Sequence, residues 1–171
     1  MDDVVLIDDF SAEVSRLGTS WEGFTDQVMG GVSEMSVIRA RESGEDYVRM
    51  RGNVSTRNNG GFIQIRLKLN PGGVFDGSAF QGLRLVVRGR GSGYYIFLRT
   101  SNTVLPWKFF KAEIPVTEDW QTVDIPWTAF EPGDFGRANT LKIRRLKSVA
   151  LVAYGKDFEA EVDLRELSFY R

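Results

Sequence analysis

Phe62-Ile63-Gln64-Ile65-Arg66-Leu67-Lys68-Leu69 is the stretch on which the fold turns. Ile63, Ile65, Leu67 and Leu69 alternate with Gln64, Arg66 and Lys68, the period of two that gives a β-strand one apolar and one polar face. The same alternation, or a strand-length β-rich run, recurs at 4–10, 35–40, 47–54, 82–90, 94–100, 107–112, 120–126, 148–153 and 162–170. Glycine, proline or Asn/Asp clusters bound these runs, and no segment holds a helical period for long. The chain therefore reads as all-β: ten short strands in a two-sheet antiparallel β-sandwich of jelly-roll type. Only residues 11–17, with Ser11 as N-cap, suit a short helix, and 127–130 suits a helical turn. Asn70-Pro71-Gly72-Gly73 and Glu131-Pro132-Gly133-Asp134 read as turns too short to divide domains, so residues 1–171 are expected to form a single sandwich domain.

The alternation also sorts faces. In 82–90, Leu83, Leu85 and Val87 are expected inward and Arg84 and Arg88 outward; in 94–100 the inward set is expected to be Tyr94, Ile96 and Leu98. If these runs neighbour 62–69, then Gln64, Arg66, Arg84, Arg88, Tyr95 and Arg99 share one sheet face. Residues 77–112 contain six Lys or Arg and no acid, whereas residues 1–34 contain eight acids against the single Arg16. Two explanations stand: oppositely charged strands neutralise one another on solvent faces, or a basic face is offered to an acidic partner.

Composition removes much chemistry. The 171 residues include no cysteine and no histidine. This rules out thiolate and histidine-activated nucleophiles, disulfides, and the commonest ligands of transition metals. The carboxylate pairs Asp2-Asp3, Asp8-Asp9 and Glu118-Asp119 are adjacent in sequence and so point to opposite faces of a strand, which is poor geometry for paired acid–base work. No catalytic residue, cofactor or metal ligand is assigned, although the oxygens of Asp26 and of Asn58-Asn59 would suit calcium. Gly89-x-Gly91 lacks the third glycine of a dinucleotide loop, since position 94 is tyrosine. The cations of 137–147 lack interleaved aromatics in a chain of net charge −1, so nucleic acid is not expected. The acidic start and the absence of a long apolar run lead to the expectation of no exported or membrane-spanning segment and a cytoplasmic location.

Two irregular segments are built loops. Trp21-Glu22-Gly23-Phe24-Thr25-Asp26-Gln27-Val28-Met29-Gly30-Gly31-Val32-Ser33 and Thr56-Arg57-Asn58-Asn59-Gly60-Gly61-Phe62 each set polar side chains beside a double glycine. They are expected to lie side by side, with Asp26 or Asn59 bonding backbone N–H groups of the other loop. They are also candidates for a binding rim, through Trp21, Asp26, Met29, Asn58 and Asn59, with Arg66, Arg88, Tyr95 and Arg99 as the cationic part of the site. Trp107, Phe109, Phe110, Trp120, Trp127 and Phe130 are core aromatics or, alternatively, stacking surfaces for sugar rings.

Taken in order, Trp21, Asp26, Val28-Met29-Gly30-Gly31, Ser33, Asn59-Gly60-Gly61-Phe62, Phe80-x-Gly82-Leu83, Arg88-Gly89-x-Gly91, Tyr95, Arg99, Trp120, Ile125-Pro126-Trp127-x-x-Phe130 and Phe169-Tyr170 resemble the complex I intermediate-associated protein family over nearly the whole chain. The resemblance implies a galactose-binding-domain-like sandwich and a chaperone-like role in assembling respiratory complex I, here in a free-standing, bacterial-type member. The expected function is a non-enzymatic assembly or protein-interaction module whose partners are respiratory-complex subunits or assembly intermediates. The alternative is a module binding carbohydrate or a small anionic ligand.

Overall fold

The computed structural model describes residues 3–101, 108–133 and 140–171, and Asn59 by its backbone alone. Among the described residues twelve strands run in chain order: β1 (Val4–Asp8), β2 (Glu22–Thr25), β3 (Glu34–Glu42), β4 (Glu45–Val54), β5 (Phe62–Lys68), β6 (Gly82–Arg90), β7 (Tyr94–Thr100), β8 (Phe110–Glu113), β9 (Gln121–Pro126), β10 (Glu131–Pro132), β11 (Leu146–Tyr154) and β12 (Phe158–Tyr170). They form two antiparallel sheets. The first has the order β3-β4-β12-β6-β9, with β1 also pairing to β12; the second has the order β10-β8-β7-β11-β5-β2.

The expected all-β, jelly-roll sandwich is the fold found, and its core follows from the alternation. Ile63, Ile65 and Leu67 of β5, Leu83, Leu85 and Val87 of β6, and Tyr94, Ile96 and Leu98 of β7 are all buried between the sheets. The central strands β12 and β11 supply Val162, Leu164, Leu167 and Phe169, and Val149, Leu151 and Ala153. A bulge between Leu164 and Glu166 shifts the register of β12 against β6, so Leu164 and Leu167, three apart, both face the core.

Three local expectations are corrected. Residues 11–17 form bends and a turn rather than a helix, and Phe10 turns the chain with φ 63°. The Asp9 carboxylate accepts from the Ser11 N–H and hydroxyl, and Arg39 donates to the carbonyls of Ala12 and Glu13, which gives these backbone groups partners other than a helical ladder. Glu22–Thr25, read as loop, is the edge strand β2. The run expected at 107–112 is the strand Phe110–Glu113, while Trp107 lies outside the described residues. Trp127–Ala129 is a 3-10 turn, as expected. No helix among the described residues is long and apolar enough to cross a membrane.

Candidate functional site

The two glycine-rich loops meet at Asp26. Its side chain is fully buried and accepts four hydrogen bonds: from the Ser33 hydroxyl and N–H on its own loop, and from the N–H groups of Gly61 and Phe62 on the other. Burial pushes the Asp26 carboxyl up, but these donors outweigh it and hold the group below the ordinary carboxylate value. Asn58, at φ 57°, completes the junction by donating to the Gly30 carbonyl at 3.3 Å. The juxtaposition read from the sequence is thus present, though with different glycine chemistry. Positive φ occurs at Gly61 (122°), while Gly60 is glycine because a Cβ there would strike the Asp26 carboxylate. Donors aimed at both Asp26 oxygens leave this carboxylate in no position to ligate calcium.

The clamp fixes what the loop displays. Thr25 caps a 3-10 turn of Asp26–Met29, Gly30 closes it at φ 87°, and Gln27 donates to the Ser33 carbonyl. Val28 and Met29 project from it, 72% and 58% exposed. Trp21 is half-buried on the sandwich, its Nε1 donating to Asp8 at 2.9 Å and its ring 5.9 Å from Phe10. Asn59 belongs to the junction by its backbone.

The expected common face of Arg66, Arg88, Tyr95 and Arg99 is divided between the two sheets. β6 lies between β12 and β9 in the first sheet, whereas β5 and β7 flank β11 in the second. Period-two alternation assigns a residue to one side of its strand and leaves the strand's neighbours undetermined, so it cannot tell which outward residues share a sheet.

Arg88 sits on the outer face of the first sheet in a closed network. It donates through Nε to Asp163 at 2.8 Å and through Nη1 to Glu42 at 2.8 Å, while Arg49 forks onto the two oxygens of the same Asp163. Hydrogen bonding to Glu42 raises the Arg88 pKa further above its ordinary value. Its guanidinium also stands over Trp120 at 4.3 Å and over Tyr47 at 5.2 Å, and Arg165 approaches the same indole at 4.7 Å. Arg84 with Asp124, Arg90 with Glu161, Arg41 with Asp46 and Arg165 with Glu45 extend the pattern.

The outer face of the second sheet is built differently. Small side chains on its central strand, Ala150 and Val152, are buried beneath Phe97 and Phe109, with Phe62, Tyr95 and Tyr154 packed alongside as a second apolar cluster outside the main core. Phe97 and Phe109 stack at 4.1 Å, and Tyr95 meets Tyr154 edge-on at 5.6 Å. Lys111 and Arg99 stand over this layer and Arg66 beside it. Lys111 is 5.9 Å from the Tyr95 ring and 5.8 Å from Tyr154, Arg99 is 6.0 Å from Phe109, and Arg66 is 4.4 Å from Phe24. Arg99 also donates to the Lys108 carbonyl at 2.9 Å. Burial lowers its pKa, and the charge of Arg66 lowers it further. No ion pair between described residues joins strands of this sheet.

Sequence reasoning found Tyr95, Arg66 and Arg99 here but missed Phe97, Tyr154, Lys111 and Phe24. The signal it had was the doublet Tyr94-Tyr95, followed by Phe97 at a polar-phase position. Of the other aromatics weighed as sugar platforms, Phe110, Trp127 and Phe130 are core.

A model of the family described as complex I intermediate-associated protein 30 (CIA30) matches residues 9–164. No curated protein matches the chain by sequence. Among solved structures, the family 11 carbohydrate-binding module of the cellulosomal cellulase Lic26A-Cel5E of Clostridium thermocellum superposes with TM-score 0.79 at 14% identity, covering 99% of this chain and 95% of that one. A family 11 module of the same organism, in complex with a β-1,3-1,4-mixed-linked tetrasaccharide, gives 0.74 at 15% identity over the same shares. The family 30 module of the C. thermocellum cellulase Cel9D-Cel44B gives 0.65 at 15% identity, covering 99% and 96%. At these identities the likeness is one of fold.

Proposed function

This chain belongs to the complex I intermediate-associated protein 30 family, and from that premise we propose that it is a non-enzymatic interaction module of assembly-factor type. It docks a protein partner on the outer face of β7, β11 and β5. The observation that carries this reading is the second apolar layer on that face, covered by Lys111 and Arg99, with Arg66 on Phe24 at its side. Tyr95 and Tyr154, partly exposed beside cations on this packed base, are the kind of aromatic and charged groups that protein interfaces use as anchors. Trp21, Met29, Asn58 and Asn59 would form a second contact at the rigid loop junction, while Asp26 holds that junction together. A chain without histidine or cysteine gives no reason to add a reaction to binding. The partners we infer are respiratory-complex subunits or assembly intermediates, met in the cytoplasm.

Carbohydrate binding is the second reading, favoured by the half-exposed hydroxyl-bearing rings of Tyr95 and Tyr154 on a fold shared with sugar-binding modules. Affinity capture from the source cell with mass spectrometry, run beside affinity electrophoresis in β-1,3-1,4-glucan, separates the two. Complex I subunits captured by the native chain and lost with Tyr95→Ala support assembly. Retardation in glucan without such subunits overturns it.

A further inference from the structure

Strands β5, β11 and β7 contain no Asp or Glu. Their registers set the outward side chains in rows across the second sheet. One row runs Glu22, Arg66, Ala150, Phe97, Lys111 and Glu131; the next runs Lys68, Ser148 and Arg99. Arg66 and Arg99 therefore stand on either side of β11, one row apart, across the small side chains of Ala150 and Ser148. Arg66 lies on Phe24 and Arg99 on Phe109 and the Lys108 carbonyl, so the two guanidinium groups bracket the strip of β11 from its two neighbouring strands, close enough that the charge of Arg66 is felt at Arg99, and β5, β7 and β11 supply no acid.

Arg66 is the more telling of the two. Glu22 is its cross-strand partner, yet no ion pair among the described residues involves Arg66. Its guanidinium is instead laid on Phe24, half-buried, which fixes the fork's plane while keeping it charged. Exposed Lys68 lies beside it in the next row. Among the described residues, the carboxylates of this face lie toward its margins, as Glu22 on β2, Glu113 on β8 and Glu131 on β10. A long polyanion crossing the sheet would meet these acids, whereas a short acidic segment following β11 would not.

Resting on the assembly reading above, we propose that the strip along β11 between Arg66 and Arg99 is a carboxylate receptor, which binds an acidic segment of the protein partner. Arg66 holds one carboxylate in a bidentate fork, and Arg99 and Lys68 set the field that draws the segment in. A peptide suits the geometry better than an acidic polysaccharide. The aromatic rings here are engaged with one another and lie under cations, so they offer no continuous flat platform for pyranose stacking.

The probe is a short fluorescein-labelled peptide of alternating glutamate and alanine, titrated with the full chain by fluorescence anisotropy, against a glutamine counterpart and against polygalacturonate as competitor. The expected result is binding of the glutamate peptide that weakens with salt, no binding of the glutamine peptide, and a loss of about tenfold for Arg66→Gln that Arg66→Lys restores in part. The melting temperature should not change. Should Arg66→Gln fail to fold, Lys68→Gln is expected to weaken binding in the same direction by roughly threefold, as one field charge fewer. No binding of the glutamate peptide at low salt, binding indifferent to both substitutions, or displacement by polygalacturonate in preference to peptide would each overturn the proposal. If the peptide fails while complex I subunits are still captured through Tyr95, the receptor falls and the docking face stands. If the peptide binds and no such subunit is captured, the receptor stands and the assembly role falls.

Discussion

Cations of both outer faces of this sandwich stand over aromatic rings, but the faces differ in whether strand-to-strand carboxylates meet those cations as well. On the first sheet, Arg41, Arg49, Arg84, Arg88, Arg90 and Arg165 each meet a carboxylate of another strand. On the second, Arg66, Arg99 and Lys111 stand over aromatic rings. Of the two explanations of the basic run at 77–112, neutralisation by neighbouring strands is therefore met on the first sheet, and the offer of a basic face is what we propose for the second. Its first three arginines neutralise acids of neighbouring strands, whereas Arg99 stands over Phe109 and donates to the Lys108 carbonyl, and Lys111 stands over Tyr95 and Tyr154. A face whose charges are matched internally has little left to offer a partner, and a face whose cations rest on rings keeps its field outward.

Substitutions should make that contrast measurable. The largest effect is expected for Asp163→Ala, because Asp163 is 2% exposed and carries both Arg49 and Arg88. Removing it leaves two guanidinium groups without their shared acid and should cost about 3–5 kcal/mol in urea unfolding. A cost below about 1 kcal/mol would show that the first face is not held by its ion pairs.

Asp26→Ala should come next, at about 3 kcal/mol, since it strands buried N–H groups of Ser33, Gly61 and Phe62. The same clamp gives a pH dependence. The folded Asp26 carboxyl titrates below its ordinary value, so its stabilisation is complete above the unfolded carboxylate pKa and is lost as pH falls through the lowered folded value. Urea midpoints of the native chain and Asp26→Asn should therefore converge as the solution is acidified below the ordinary carboxylate range; a constant gap would contradict the clamp. Gly60→Val should cost about 1–3 kcal/mol, because its Cβ would meet Asp26. Lys111→Ala and Arg66→Ala should have the smallest effect, each under about 1 kcal/mol, the scale of exposed cation–π contacts. Larger losses would mean that the second face is as structural as the first.

How far the sequence reaches differs between these regions for physical reasons. The alternating Ile63, Ile65, Leu67 and Leu69 named both the strand and its buried side, because a period of two is local. The Asp26 junction was legible for a similar reason: an acid beside double glycines has few uses other than bonding backbone that comes close. Strand β2 was hidden, since Glu22-Gly23-Phe24-Thr25 is a four-residue edge with no fully buried position. Strand neighbours were hidden too. Nothing within Gly82–Arg90 reveals that it will pair with the distant β12, which places Arg88 in the first sheet and Arg66 and Arg99 in the second. The outward aromatics escaped because Phe97 and Phe109 are buried, as core residues are, but on the other side of the sheet.

The division of labour between the faces is tested most directly by site-specific photo-crosslinking in the source cell. A photoreactive phenylalanine analogue is placed at Lys111 on the second face or at Arg84 on the first, and the products are identified by mass spectrometry. The account predicts crosslinks to respiratory complex I subunits from position 111 and none from position 84. Crosslinks to those subunits from position 84, with position 111 silent, would contradict it.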